Sequence, residues 1–260
     1  MTTAIGSSIQ TTRKRSKEHN SLPFNYHIGC SGYYYPYWKN KFYPKGLKPN
    51  EWLKFYSTIF NAVELNGTFY RTPSLNQLLN YHQETPDHFK FSVKISKYIT
   101  HILKLKDSRQ HIADFQNLLT DGLQKKLGCF LFQLPPSFHF SEENLERIVE
   151  NIPHRKDNVV EFRHLSWWNE EVIKTLKKIK LTFCNVDFPG METFFMHTTD
   201  YFYLRFHGNP VLFKSSYSSE QLKKFYDSFP ENSKQYWTFF NNTYYEAGYT
   251  NAKELMELIV

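Results

Sequence analysis

The sequence predicts a closed (β/α)8 barrel of the TIM type, and the alternation of two kinds of segment carries this prediction. Eight short runs rich in β-branched and aromatic residues recur along the 260-residue chain, and helix-length amphipathic stretches separate most of them. This alternation is typical of a parallel sheet covered by helices. The sixth connection, FPGMETFFMHTTD, is too short for a full helix, so the sixth crossover helix is predicted to be degenerate. Eight strands with one reduced crossover favour a closed barrel over an open doubly wound sheet.

The predicted elements follow from the period of the apolar residues and from cap signals. Strands are expected at residues 26–31, 62–66, 89–95, 129–134, 158–163, 181–187, 201–207 and 236–242. Helices are expected near residues 50–60, 74–84, 107–127, 141–151, 168–179, 218–229 and 246–259. Ser141, followed by acidic residues, and Ser218, with Gln221 three positions later, have the sequence context of helix N-caps.

Two regions of different composition make up the chain. Residues 1–22 are predicted to form a disordered basic extension, and residues 23–260 a single barrel domain. The segment TTRKRSKEHN carries four basic residues against Glu18, which accounts for +3 of the formal charge of +7. The remaining excess is modest, so it tolerates a phosphate-bearing partner without requiring one.

The overall composition is that of a soluble globular protein, with 40% hydrophobic and 22% charged residues. The aromatic content of 18% is high, and either ligand stacking or a coding bias accounts for it. No apolar run is long enough to span a membrane, and the first twenty-two residues lack the apolar core of a secretory signal. Cys30, Cys129 and Cys184 lack metal-type spacing and are expected to be buried and reduced, which predicts a cytoplasmic protein.

The stretch VVEFR shows how the period of a strand places charge inside the barrel. Alternate side chains of a barrel strand face the lumen and the helix layer. Val160 and Phe162 therefore face the helices, whereas Glu161 and Arg163 face the lumen. The same reading gives a set of polar lumen residues at the carboxyl ends of the strands, where barrel enzymes build their sites. These residues are Asn66, Lys94, Gln133, Arg163, Asp187, His207 and Asn241 or Asn242.

Seven ordered motifs run from about Tyr26 to the C-terminus. They are YHIGCSGYYYPYWKNKFYP, VELNGTFYRTP, FKFSVKISKYITH, GCFLFQLPPS, VEFRHLSWW, YLRFHG and FFNNTYYEAGYTNAKEL. Together they resemble the YecE family, a domain of unknown function (DUF72). The resemblance implies a TIM-type barrel and no established reaction. Cys30 and Thr243 depart from the family pattern, which has Thr and frequently an acidic residue at these positions.

The lumen carboxylates are the first candidates for catalysis. Glu161 is the leading general acid or base, with Glu64 and Asp187 as further carboxylates and His207 as the rim histidine. Two carboxylates flanking a sugar bond would resemble glycosidase machinery, with aromatic rings stacking on the sugar. The candidate rings are Tyr35, Trp38, Tyr70 and Trp167, with packing of loops against the barrel as the alternative for the tryptophans. A carbohydrate-active enzyme is therefore one alternative.

The cations of the same rim point to an anionic ligand instead. Arg71, Lys94, Arg163 and Arg205 offer positive charge for a phosphoryl group. Further polar ligand-binding candidates are Ser31, Asn66, Gln133, Asn241 and Asn242. This reading predicts a hydrolase or lyase acting on a small polar, phosphorylated or nucleic-acid-derived ligand. A nonenzymatic nucleic-acid-binding protein that relies on the basic extension is the other alternative.

A metal site would need ligands from several strands. Glu161, Asp187 and His207 could meet as such a set. Barrel enzymes that hold metals at this rim use several histidines, whereas His164 has outward parity and His101 lies in a loop. The sequence therefore favours metal-independent chemistry, and no metal or cofactor is predicted. A mutual polar plug without a ligand is the remaining alternative for the whole cluster.

Overall fold

Eight parallel strands form the barrel in the computed structural model, which describes residues 22–191 and 195–260. The strands are β1 Tyr26–Cys30, β2 Ala62–Leu65, β3 Lys90–Lys94, β4 Leu127–Gln133, β5 Asn158–Glu161, β6 Thr182–Asp187, β7 Tyr201–Phe206 and β8 Gln235–Phe240. Every neighbouring pair from β2 through β8, and β8 with β1, is joined by a parallel ladder. The predicted TIM-type barrel is confirmed.

All seven predicted helices are present on the outside of the sheet. They are α1 Trp52–Tyr56, α2 Leu75–Glu84, α3 Arg109–Leu123, α4 Glu142–Asn151, α5 Glu170–Lys178, α6 Ser219–Asp227 and α7 Ala247–Ile259. The Ser141 hydroxyl accepts a hydrogen bond from Asn144 N at 3.2 Å, and Ser218 forms a capping box with Gln221. The described residues of the sixth connection, 188–191 and 195–200, contain no helix, as the degenerate crossover predicts.

The seam between β1 and β2 is closed by side chains. In the described chain, no ladder pairs these two strands. Asn61, just before β2, substitutes for it because its Oδ1 accepts from Ile28 N at 2.8 Å and its Nδ2 donates to Tyr26 O at 2.6 Å. The amide group thus satisfies a donor and an acceptor of β1 that a neighbouring strand would otherwise satisfy.

The Tyr56 hydroxyl bridges the same seam nearer the carboxyl end of β1. It accepts from Cys30 N at 2.6 Å and donates to Ala62 O at 3.2 Å. Gly29 is required here because a Cβ atom at this position would lie 1.9 Å from the Ala62 carbonyl oxygen. The bridged seam brings the loops after β1 and β2 together at one end of the barrel.

Two apolar layers hold the barrel together. The larger lies between the sheet and the helices, and the smaller fills the lumen with side chains that include Leu131, Val159, Tyr203, Trp237 and Phe239. Because the lumen is packed below, the polar groups of the upper lumen form a floor and not a channel. The predicted parity of β2, β3, β5 and β7 is confirmed by these two layers.

The predicted parity of β6 is wrong. Cys184 packs with the lumen cluster, and its Sγ lies 3.9 Å from Glu161 Oε2. Asn185 consequently faces the helix layer, where its Oδ1 accepts from Met196 N at 2.7 Å and its Nδ2 donates to Met196 O at 3.1 Å. Asp187 has the same parity as Asn185. Polar residues occur on this outer face because the described part of the sixth connection, which contains no helix, offers main-chain partners there.

Three chain-wide predictions have different outcomes. All three cysteines are free and buried, as expected. Within the part of the chain that the structure describes, no helix is both long and apolar enough to cross a membrane. The predicted disordered extension, residues 1–22, lies outside the described residues except for Leu22.

Candidate functional site

A buried arginine on β7 organises the upper lumen. Arg205 is 1% exposed, and its Nε and Nη2 donate to Glu64 Oε1 at 3.1 and 2.6 Å. Its Nη1 donates to Glu161 Oε2 at 2.5 Å. Burial alone would lower the pKa of Arg205, but Glu161 and Glu64 raise it well above its ordinary value. The guanidinium is therefore a fixed positive charge between two carboxylates that are fully buried.

A second row of hydroxyl groups supports Glu64 from below. Tyr203 Oη donates to Glu64 Oε2 at 2.7 Å, and Ser92 Oγ lies 2.6 Å from Tyr203 Oη. Burial raises the pKa of Tyr203 well above its ordinary value, so the phenol keeps its proton. Tyr203 is not among the residues predicted from the sequence, although it shares the parity of Arg205 on β7. That parity was the signal that could have identified it.

Glu161 also contacts a second arginine and a histidine. Arg163 Nε forms an ion pair with Glu161 Oε1, and His207 Nε2 lies 3.4 Å from the same oxygen. Burial alone would raise the pKa of Glu161, yet Arg163 and Arg205 hold it well below its ordinary value. Glu161 is therefore a carboxylate at neutral pH. Because Arg163 and Arg205 keep Glu161 ionised, Glu161 has no proton to give, and this disfavours a role as general acid.

His207 is neutral at physiological pH. Burial, followed by the charge of Arg163, lowers the pKa of His207 to about 3. Asn241 Nδ2 lies 2.9 Å from His207 Nδ1, and His207 Nε2 faces Glu161 Oε1 at 3.4 Å. Arg163 Nη2 lies 3.3 Å from His207 Nε2. The neutral ring therefore lies in contact with Asn241, Glu161 and Arg163 without adding a charge to the rim.

Lys94 differs from the other rim cations. Its Nζ lies 4.0 Å from the centroid of the Phe69 ring. Burial, followed by the charge of Arg205, lowers the pKa of Lys94 to about 8. Lys94 is therefore the rim residue whose charge changes closest to neutral pH.

A cavity of about 480 Å³ opens above these groups. Its lining combines rim residues that the sequence predicted with loop residues that it missed. The predicted ones are Asn66, Tyr70, Lys94, Gln133, Arg163, Arg205 and Asn241. The missed ones are Phe69, Pro136, Phe188 and Phe213, which lie in loops where no strand period marks the inward face. The lining is cationic at the floor and aromatic at the walls.

A larger groove of about 1020 Å³ adjoins this cavity and shares Asn66 and Tyr70 with it. Its lining also includes Ser31, Tyr35 and Arg71. Tyr35 Oη donates to Ser31 O at 2.5 Å, and Ser31 Oγ accepts from Arg205 Nη2 at 3.4 Å. Arg71 lines the groove and is not part of the lining of the 480 Å³ cavity with its cationic floor.

Two predicted site residues face the helix layer. Asp187 accepts from Tyr217 Oη at 2.5 Å and from Asn209 Nδ2 at 3.2 Å, behind β7. Asn242 Nδ2 donates to Ser215 O at 2.9 Å and to Asn251 Oδ1 at 3.1 Å. The predicted lumen position of Asp187 is therefore wrong. Of the two alternatives on the last strand, Asn241 lines the cavity and Asn242 faces outward, because the loop after β7 and helix α7 supply polar partners on the outer side.

Two predicted aromatic ligands are buried packing residues. Trp38 is fully buried, and its Nε1 donates to Tyr245 O at 2.7 Å. Trp167 is fully buried too; it stacks on Phe162 at 4.3 Å between ring centroids, and its Nε1 donates to Phe138 O at 2.6 Å. Both indole N–H groups are satisfied by main-chain oxygens, so these rings fasten loops to the barrel.

The three residues considered as metal ligands do not meet. Glu161 and His207 are neighbours, whereas Asp187 points behind β7. Across residues 22–191 and 195–260, no group of three or more His, Cys, Asp or Glu side chains is arranged to hold a metal ion.

Known proteins resemble this chain along almost its whole length. A family model described as protein of unknown function DUF72 matches residues 27–260. The UPF0759 protein YunF of Bacillus subtilis is 26% identical, covering 84% of this chain and 89% of its own length. The UPF0759 protein YecE of Escherichia coli K12 is 29% identical over 43% of this chain and 41% of its own length.

Solved structures agree with the barrel. A DUF72 family protein from Thermotoga maritima superposes with a TM-score of 0.81 at 32% identity, covering 90% of this chain and 98% of its own. A DUF72 family protein from Enterococcus faecalis, at 17% identity, has a TM-score of 0.73 over 93% of this chain and 99% of its own. The resemblance predicted from the ordered motifs is confirmed, and the chain belongs to the DUF72 family of proteins of unknown function.

Proposed function

We propose that the protein is an enzyme of the hydrolase or lyase type that binds a phosphorylated or nucleic-acid-derived small molecule at the carboxyl-terminal rim of the barrel. The supporting observation is an imbalance of charge around the 480 Å³ cavity. Three cations, Lys94, Arg163 and Arg205, face two carboxylates, Glu64 and Glu161, while His207 is neutral. An anionic ligand would neutralise the excess charge in a partly desolvated site, where such attraction is strong.

The arrangement gives each cation a distinct role in this proposal. Arg163 is 11% exposed and lines the cavity, and its Cζ lies 4.7 Å from the centroid of the Phe188 ring. Its guanidinium group is therefore positioned to hold a phosphoryl group. Arg205 lies deeper and supplies a fixed charge. Lys94 completes the binding site and exchanges protons near pH 8. Glu64 and Glu161 hold the two guanidinium groups in place.

The remaining lining would bind the uncharged part of the ligand. Asn66, Gln133 and Asn241 offer amide groups to hydroxyls or to base edges. Tyr70 is 81% exposed and stands where the cavity meets the 1020 Å³ groove, so a ring of the ligand can stack on it. A nucleotide has this combination of phosphate, hydroxyls and a planar ring.

The geometry disfavours the carbohydrate alternative. A glycosidase needs two carboxyl groups free to flank one bond. Here Glu64 and Glu161 are fully buried, and both accept hydrogen bonds from the guanidinium group of Arg205. The nonenzymatic nucleic-acid alternative depends on residues 1–22, and their deletion tests it: loss of salt-sensitive nucleic-acid binding would favour that alternative.

Calorimetric titration with phosphomonoesters and their dephosphorylated counterparts tests the proposal. We expect saturable binding of phosphorylated compounds only, and a weakening on the order of tenfold in Arg163→Gln, because one charge-assisted contact is lost. Arg155→Gln is the matched control, since Arg155 pairs with Asp157 at the opposite end of β5. Equal affinity for the neutral counterparts, or equal effects of the two substitutions, would refute phosphate binding at the rim.

A further inference from the structure

Among the described residues that line the cavity, Lys94 is the cation that has no carboxylate at ion-pair distance. Its side chain leaves the carboxyl end of β3 and lines the cavity. Each rim arginine holds a carboxylate at ion-pair distance, whereas the contact found for Lys94 Nζ within the described residues is the face of Phe69. An aromatic face stabilises an ammonium ion weakly compared with a carboxylate, so the cost of losing the proton is small.

The charged groups around Lys94 come from three strands, and the titratable His101 packs on the same Phe69 ring at 4.9 Å between centroids. Arg205 on β7 and Arg163 after β5 oppose its protonation, while Glu161 on β5 and Glu64 on β2 favour it. Burial adds to the effect of the arginines, and the pKa of Lys94 falls to about 8. At pH 7 roughly a tenth of the amine is then neutral, against about 0.04% for an ordinary lysine with a pKa of ~10.4. A neutral amine with an unprotonated lone pair is a nucleophile.

We propose that Lys94 is a catalytic nucleophile that forms an imine with the carbonyl group of an aldehyde or ketone ligand. This inference rests on the proposed function, because Arg163 would hold the phosphoryl group of the same ligand. The Nζ lone pair adds to the carbonyl carbon, and the carbonyl oxygen takes up a proton to give a carbinolamine. The carbinolamine then loses its hydroxyl group as water, and the nitrogen forms the C=N bond. The two hydrogens of the amine and the carbonyl oxygen leave together as one water molecule.

An imine at this position narrows the reaction class. When protonated, the imine accepts the electron pair of the ligand's Cα–Cβ bond as that bond breaks. The pair forms an enamine at Cα, and Cβ, which carries a hydroxyl group, leaves as an aldehyde while the hydroxyl proton passes to solvent. This carbon–carbon cleavage is the chemistry of a lyase. Glu161 remains ionised beside the arginines and would stabilise the iminium charge. The substrate class is therefore a phosphorylated aldehyde or ketone.

Reductive trapping tests the inference on the full chain. The protein is incubated with dihydroxyacetone phosphate or with dihydroxyacetone, treated with sodium borohydride, and mapped by peptide mass spectrometry. We expect Lys94 to be labelled on the order of tenfold faster than the exposed Lys97 at pH 7, with labelling that rises through pH 8. Lys94→Arg should abolish the site-specific label, while Lys97→Arg, the matched control, should leave it unchanged.

The two ligands separate the two hypotheses. A Lys94 label that forms faster with the phosphorylated ketone supports both. Equal labelling of Lys94 by the two ketones supports the imine and contradicts the phosphate site. Labelling of Lys94 no faster than that of Lys97, in a protein that binds phosphomonoesters by calorimetry, overturns the imine and leaves the proposed function standing. Peptide mapping of the labelled protein without substitutions distinguishes these outcomes even if Lys94→Arg fails to fold.

Discussion

Replacing Glu161 by glutamine removes one negative charge from the point where two guanidinium groups meet. Glu161 is fully buried and contacts Arg163 and Arg205, while the amide has nearly the same volume as the carboxylate. Removal of one partner of a buried ion pair costs about 3–5 kcal/mol because the other charge is left uncompensated. Arg205 retains Glu64, and Arg163 is partly exposed, so we expect the lower end, about 3 kcal/mol.

The pH dependence follows from the lowered pKa of Glu161. A carboxyl group of this type has a pKa of ~4.3 in the unfolded chain and one well below its ordinary value in the folded chain. Its stabilisation is therefore complete above about pH 5 and is lost as the pH falls through the folded pKa. The difference between the protein and Glu161→Gln should be constant near pH 5 to 6, where Lys94 is fully protonated, and smaller below pH ~4.

Urea unfolding followed by tryptophan fluorescence measures the effect. With a slope of about 3 kcal/mol per molar urea, the midpoint of Glu161→Gln should fall by about 1 M at pH 7. Glu170→Gln is the matched control, because Glu170 pairs with Lys174 at 2.9 Å on the surface of α5. Its midpoint should stay close to that of the unmodified protein. Equal midpoints for the two variants would refute the view that Glu161 is an essential counter-ion of the rim.

Three further outcomes are expected. Tyr217→Phe should lower the free energy of unfolding by about 1–3 kcal/mol, because it removes the 2.5 Å hydrogen bond to the buried Asp187, and should leave phosphomonoester affinity unchanged in calorimetry; a large loss of affinity would contradict the outward position of Asp187. Asn61→Ala should accelerate hydrogen exchange at Ile28 N, whose 2.8 Å acceptor disappears; unchanged protection would mean that the seam does not depend on this amide. Phosphomonoester affinity should fall as the pH rises through about 8, since Lys94 loses its charge there, and Lys94→Arg should flatten this pH profile; a profile that persists in Lys94→Arg would assign the titration to another group.

The alternation of short strands and amphipathic helices is a local signal, and it was sufficient for the fold. The strand parity of AVEL and YFYLRF was also readable, because each run has large apolar residues on one face and a charged residue on the other. The two faces of NVVE are mixed, and the residues that follow it, Phe162 and Arg163, indicate the parity of β5. Glu64, Glu161 and Arg205 were therefore placed in the lumen from sequence. The same reasoning located Lys94 and Gln133 at the rim.

The parity of the strand TFCNVD could not be predicted in this way, because both of its faces are buried and both carry small or polar side chains. Its register depends on partners far along the chain: Met196 for Asn185 and Tyr217 for Asp187. The predicted ligand contacts of Trp38 and Trp167 could not be checked from sequence either. A tryptophan beside a charged rim has the same sequence context whether it stacks on a ligand or packs under a loop. Only the positions of the main-chain oxygens of Tyr245 and Phe138 distinguish the two.

The sequence by itself determined the barrel, its degenerate sixth crossover and the end of the barrel at which charge collects, because these depend on periods of two and of 3.6 residues. Protonation was decided by tertiary structure alone. Glu161, the predicted acid or base, is held ionised by Arg163 and Arg205, while Lys94 is the residue whose pKa moves towards neutrality. A pKa depends on burial and on distances of a few ångströms between charges that are distant in sequence, and no local pattern encodes those distances.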